Sequence, residues 1–122
     1  MRYFAQDDAV QSKKATEIME RRLTEAEPGF VSLVALVETV WVLSRAYDLS
    51  NHEIVAVVEG MLQSDTLVVE NEQEVFTAAA AVKAGRGSFA DALVGALGIW
   101  AGCDSTLTFD KKTLRLGGFE LV

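Results

Sequence analysis

The sequence predicts an α/β domain built on a parallel sheet with helices on both faces. Three observations carry that reading. Short apolar or β-branched runs alternate with longer runs of helical period; Ser or Asn stands where most of the helical runs begin; and glycines and the one proline punctuate the junctions. Strands that alternate with helices pair in parallel through right-handed crossovers, which leaves helices on both sides of the sheet. With 122 residues, 50% hydrophobic and 24% charged, residues 1–122 are expected to form one domain that buries about two-thirds of the surface its unfolded chain exposes.

Taken in order, Met1-Arg2-Tyr3-Phe4-Ala5-Gln6-Asp7-Asp8 reads as a turn into a helix with no apolar strand before it. Residues 10–25 follow as an amphipathic helix, with Ala15, Ile18, Met19 and Leu23 inward and Lys13, Lys14, Arg21 and Arg22 outward. Pro28 and Gly29 break that pattern, Gly29-Phe30-Val31 is a very short strand, and Ser32 caps a helix that reaches about Tyr47. Ser50-Asn51-His52-Glu53 is a capping box opening a helix whose apolar face is Ile54, Val57, Val58, Met61 and Leu62. His52, the single histidine, reads as an exposed neighbour of the cap, since no metal-ligand spacing accompanies it. Thr66-Leu67-Val68-Val69 is a β-branched strand, and Asn71 is expected to cap a helix with Val75, Ala79 and Val82 inward.

The stretch from Arg86 to Asp110 carries two acids on one excursion of the chain. Ser88 is a good N-cap, Leu93, Val94, Leu97 and Trp100 recur at helical spacing, and Gly102 supplies a stop. A helix over residues 89–101 is roughly 20 Å long. A strand over residues 105–109 retraces roughly 17 Å, so Asp110 returns to the level at which Asp91 entered. Carboxylates at a strand's C-terminal end and a helix N-terminus stand where an open α/β sheet places its active site. Each also has a plainer reading: Asp91 completes a capping box with Ser88, and Asp110 is a turn residue ahead of Lys111 and Lys112. A third acid, Glu38, is the only ionisable side chain between Phe30 and Leu43. Buried there it would cost several kcal/mol unless paired, protonated or metal-bound; the other reading sets it on the exposed stripe of a mostly buried helix. As the second turn of a helix that follows a strand, it falls within about 10 Å of the strand's C-terminal edge.

Composition excludes several classes. One cysteine, Cys103, forbids an internal disulfide, no secretory signal opens the chain, and the longest apolar run falls far short of the roughly 20 residues of a membrane span. A cytoplasmic location with no membrane contact is therefore expected. The net charge of −7 argues against sequence-independent adhesion to nucleic acid, which needs a basic surface, although carboxylates that bind a divalent cation become less negative once loaded.

Arg86-Gly87-Ser88-Phe89-Ala90-Asp91-Ala92-Leu93, followed by Gly102-Cys103-Asp104-Ser105-Thr106-Leu107-Thr108-Phe109-Asp110-Lys111-Lys112, resembles the C-terminal half of a PIN domain. Tyr3-Phe4-Ala5-Gln6-Asp7-Asp8 and Glu38-Thr39-Val40-Trp41-Val42-Leu43 fit the same family, and within it the chain resembles the VapC-type toxins of bacterial toxin–antitoxin pairs. The resemblance implies a PIN-like three-layer fold and a Mg²⁺- or Mn²⁺-dependent endoribonuclease. Glu38, Asp91 and Asp110 match three of the family's metal-binding acids, and Thr108 matches its small hydroxyl position. Carboxylates suit hard divalent cations, and such metals orient a water and stabilise charge on a phosphoryl group in transfer. The implied partners are an RNA substrate, a cognate antitoxin and a second copy in a homodimer; Trp41, Trp100, Tyr3 and Phe4 read either as aromatic anchors of such an interface or as core residues.

The chain departs from the family's pattern at two places. Members open with an apolar strand ending in an Asp-Thr-Asn type motif, the source of the first metal-binding Asp; this chain is expected to lack that strand, since Asp7 and Asp8 match acids that follow it. Ser88 stands where the family often has a further Asp. An alternative reading follows from these losses: a catalytically impaired PIN-fold module that pairs with an antitoxin without cutting RNA. A response-regulator-like phosphoacceptor domain fits less well, because it calls for adjacent acids after the first strand and a Lys after the last.

Overall fold

The structure, a computed structural model, describes residues 26–122; the helix expected over residues 10–25 and the reading of Met1 to Asp8 lie outside the described residues. The described chain divides into two compact units, one ending at Glu70 and one beginning at Asn71. Each has its own buried core and its own two-stranded parallel sheet. The α/β class with parallel pairing is as the sequence predicts.

In the first unit, β1 (Gly29–Val31) leads to α1 (Leu33–Arg45), α2 (Asn51–Gln63) and β2 (Leu67–Val69). β1 pairs with β2 in parallel, Gly29 opposite Leu67 and Val31 opposite Val69, and the two helices form the long crossover that parallel neighbours require. Both helices start where their caps predict. Ser32 Oγ accepts from the Ala35 amide at 3.1 Å. At α2 the capping box is complete: Ser50 Oγ accepts from the Glu53 amide at 3.3 Å, and Glu53 Oε1 accepts from the Ser50 amide at 3.0 Å. The backbone bond from Ser50, followed by the bond with its side chain, holds the Glu53 carboxyl below its ordinary pKa of 4.5.

The core of this unit is aliphatic: Leu36, Val40 and Leu43 of α1, Ile54, Val55, Val58 and Met61 of α2, and the strand residues Val31 and Val69. The α2 face is rotated from the expected one, for Val55 is buried while Val57 and Leu62 are half-exposed. α2 packs on both α1 and β2, and contact on two sides favours a face wider than a single stripe. Opposite the core face of the sheet, the paired residues Phe30 and Val68 are both exposed.

In the second unit, α3 (Glu72–Lys83) and α4 (Phe89–Trp100) precede β3 (Thr106–Thr108), a 3₁₀ segment (Lys111–Leu116) and β4 (Phe119–Leu121). β3 and β4 are parallel, Thr106 opposite Phe119 and Thr108 opposite Leu121, with the 3₁₀ segment as their crossover. The turn into β4 uses Gly117 and Gly118 at φ 75° and 74°, a left-handed conformation that only glycine adopts without strain. α3 buries Val75, Ala78, Ala79 and Val82 against α4, which buries Phe89, Ala92 and Leu93.

Two expectations fail here. Asn71 does not cap α3: its φ of 50° is left-handed and no capping bond forms, so the side chain donates instead to Glu74 Oε1 at 3.2 Å. Along α4, the expected face of Leu93, Val94, Leu97 and Trp100 is only partly used. Leu93 is buried, but Val94 and Trp100 are exposed. The reason is Gly95 and Gly98, which turn toward the sheet: a Cβ on Gly95 would stand 2.8 Å from the Phe119 ring, and one on Gly98 would stand 2.9 Å from Thr106 Oγ1. Small residues let the helix backbone lie close on the strands, and the larger apolar residues turn away. The helix ends as predicted at Gly102, with φ 92°. The Gly102 amide donates to the Ile99 carbonyl and the Cys103 amide to the Gly98 carbonyl, both at 2.9 Å, which satisfies carbonyls of the last turn.

Candidate active site

Asp91 and Asp110 lie in the same unit. Gly98 faces Thr106 and Gly95 faces Phe119, residues that pair with each other across β3 and β4, so α4 lies over both strands. From Gly98 back to Asp91 the helix covers about 10 Å; from Thr106 forward to Asp110 the strand covers about 13 Å. Asp91 thus stands in the first turn of α4 and Asp110 two residues past the end of β3.

Their surroundings differ. Ser88 Oγ accepts from the Asp91 amide at 3.3 Å, but the return bond of a capping box is not made, and the half-buried Asp91 carboxylate accepts no hydrogen bond from a described residue. The cap explains Ser88 and leaves the acid of Asp91 unexplained. Asp110 is exposed and organised on every side by its own turn. Its Oδ1 accepts from the Lys112 amide at 2.9 Å, its carbonyl accepts from Thr113 Oγ1 at 2.8 Å, and its amide donates to Thr108 Oγ1 at 3.0 Å. The turn reading of Asp110 is correct as far as Oδ1 goes, and Oδ2 accepts no bond from a described residue. The Thr108 hydroxyl thereby anchors the backbone from which the Asp110 carboxylate projects.

Glu38 belongs to the first unit. The expectation of a carboxylate buried among apolar side chains is not met, because Glu38 is exposed. α1 buries Leu36, Thr39, Val40 and Leu43 on one side, and Val34, Glu38, Trp41 and Arg45 form an exposed stripe on the other. The cost of burial therefore gives no reason for Glu38, whose carboxylate also accepts no bond from a described residue. A fourth acid, Glu70 at the end of β2, is committed to the scaffold: its Oε1 accepts from the Leu33 amide at 2.8 Å, tying the end of β2 to the start of α1.

Chemically, the oxygens that described residues leave unused on Glu38, Asp91 and Asp110 are a hard donor set suited to Mg²⁺ or Mn²⁺ and unsuited to soft metals. Among the described residues no three or more His, Cys, Asp or Glu gather into a metal-holding group; Asp91 and Asp110 belong to the second unit and Glu38 to the first. His52 is exposed in the first turn of α2, as expected. A groove of about 400 Å³ in the second unit is walled by Ala80, Ala84, Ala92, Ala96 and Leu116, with Arg86 at its margin. It is lined by neither acid, so the apolar concavity and the carboxylates are separate features.

Sequence reasoning missed the stacking of Arg45 over the Trp41 ring, 6.0 Å from guanidinium carbon to ring centroid, and the use of Glu70 as a helix anchor. The first was legible in the four-residue spacing of Trp41 and Arg45, which makes them surface neighbours on a helix; the second depends on a long-range contact that spacing does not reveal. Among the described residues no helix is long and apolar enough to cross a membrane. Compared with known proteins, the chain matches a family model described as PIN domain over residues 2–118. No curated protein and no solved structure matches it.

Proposed function

Because the chain belongs to the PIN-domain family, whose members are usually nucleases, we propose that it is a divalent-metal-dependent endoribonuclease and the toxin component of a type II toxin–antitoxin pair. The observation that carries the nuclease reading is Asp91. It is a half-buried carboxylate in the first turn of α4, unbonded to any described residue, in the same unit as Asp110. In this reading Asp91, Asp110 and Glu38 hold Mg²⁺ or Mn²⁺ through their carboxylate oxygens. Thr108 keeps Asp110 in position, because its hydroxyl fixes the amide of that residue. The bound ion supplies an oriented water and charge stabilisation at the scissile phosphate. Ser88 caps α4 and so sets the first turn from which Asp91 projects.

The test is cleavage of single-stranded RNA with Mg²⁺ or Mn²⁺. Glu38→Gln, Asp91→Asn and Asp110→Asn are each expected to lower the rate by about 100-fold or more, as loss of a metal ligand does, while Asp104→Asn at an exposed position leaves it unchanged. Equal rates in all four variants refute the assignment.

The toxin role rests on the resemblance, and the partner expectations go with it: a cognate antitoxin and a homodimer. Ile99 and Trp100 on α4 and Phe76 on α3 are exposed, and the apolar groove of the second unit suits the apolar face of a partner helix. The alternative is an impaired PIN-fold module that binds an antitoxin without cutting RNA. Metal-dependent cleavage abolished by Asp91→Asn decides for the enzyme.

A further inference from the structure

We infer that Trp41 is a stacking platform for a base of single-stranded RNA, set one helical turn from Glu38 and backed by Arg45; the inference deepens the nuclease reading and rests on it. Tryptophan is a residue that folding normally hides, yet Trp41 is 61% exposed. It is not a stray apolar position, since it lies on the α1 stripe that runs through Val34, Glu38, Trp41 and Arg45, opposite the face that enters the core. Side chains three residues apart on a helix are neighbours, about 5–6 Å between their Cβ atoms. A base stacked on the indole therefore brings its strand within reach of Glu38.

Arg45 adds the charge that the carboxylate stripe lacks. Its guanidinium lies over the Trp41 ring at 6.0 Å, the outer range of a cation–π contact, and it pairs with no carboxylate of a described residue. An exposed indole carrying an uncompensated guanidinium combines the two elements that sequence-tolerant single-strand binding uses, an aromatic face and a cation for the backbone. A second protein chain fits this stripe less well. The buried centre of a protein interface is depleted of charge, whereas here a Glu and an Arg flank the one aromatic residue.

The test uses the chain's two tryptophans. In a Trp100→Phe background Trp41 is the sole indole, and its emission is followed while a short oligouridylate is added at low salt with EDTA present, so that binding is read without catalysis. Saturable quenching is expected. Trp41→Ala, followed by a labelled oligonucleotide, weakens binding roughly 5- to 100-fold, the range found when a stacked aromatic is removed, and Trp41→Phe restores most of it. Arg45→Gln lowers the slope of log affinity against log salt by about 0.7, the loss of one phosphate contact to a single strand. Unquenched emission, or equal affinity of the wild type and Trp41→Ala, overturns the inference. So does emission that changes with protein concentration and not with RNA, which would make the stripe a contact between copies. Cleavage is measured separately with Glu38→Gln: a chain that binds on Trp41 but never cuts refutes the nuclease reading alone, and one that cuts equally well with Trp41→Ala refutes this inference alone.

Discussion

Removing a carboxylate that accepts no hydrogen bond leaves the fold's own bonds intact, and among the described residues Asp91 is such a group. Asp91→Asn is therefore expected to stay within about 0.5 kcal/mol of the wild type in thermal unfolding. Thr108→Val is different, because it takes away the acceptor of the Asp110 amide and is expected to cost about 1 kcal/mol. A fall in unfolding temperature for Asp91→Asn equal to that for Thr108→Val would return Asp91 to the scaffold. Glu53 gives a pH signature. Its native pKa is lowered, so its contribution is present above the ordinary value of 4.5 and is lost as pH falls below it. Glu53→Gln should flatten this part of the acid limb of stability, read by denaturant unfolding between neutral pH and roughly pH 3; an unchanged acid limb would mean that the box does not titrate. At this scale the sequence was readable where a single local bond decides. Ser32, Ser50 and Ser88 cap as their types predict. Asn71 and Glu38 were not readable: the left-handed backbone of the first and the outward turn of the second are set by packing.

Among the elements, α4 shows why periodicity alone misassigns a face. Its leucines, valine and tryptophan recur at helical spacing, but the contact surface is drawn by Gly95 and Gly98, which a hydrophobic pattern passes over. Gly95→Ala drives a methyl to 2.8 Å from the Phe119 ring; overpacking of about 1–3 kcal/mol outweighs the roughly 1 kcal/mol that alanine gains as a helix former. Gly60 in α2 is the control, since a Cβ there would meet nothing within 4 Å, so Gly60→Ala is expected to stabilise by about 0.5–1 kcal/mol. Chemical denaturation of the two variants should move in opposite directions. Stabilisation of both would mean that α4 does not lie as close to its strands as described. β1, β2 and β3 were legible in place and in their parallel direction, and β2 and β3 are shorter than their apolar runs, because only three residues in each make the ladder.

At the scale of the whole molecule, exposed apolar side chains exceed what isolated surface residues account for. Phe76, Val94, Ile99 and Trp100 all stand open on α3 and α4, and Phe76 and Ile99 border one apolar groove, an exposure that suits an association surface. Sedimentation at micromolar concentration is expected to show a dimer, and Trp100→Glu to shift it toward monomer; a wild type that sediments only as monomer removes the homodimer. The parallel pairings bear also on the order in which structure is acquired. β1 is joined to β2 across residues 29 to 67, β3 to β4 across residues 106 to 119, so the first closure spans roughly three times as much chain. Closure entropy grows with the logarithm of that span, a difference of about 1 kcal/mol, and pairings distant in sequence are slow to form. During synthesis, then, Phe30 waits longer for its partner strand, while Thr106 to Leu121 close their sheet within a short stretch of chain.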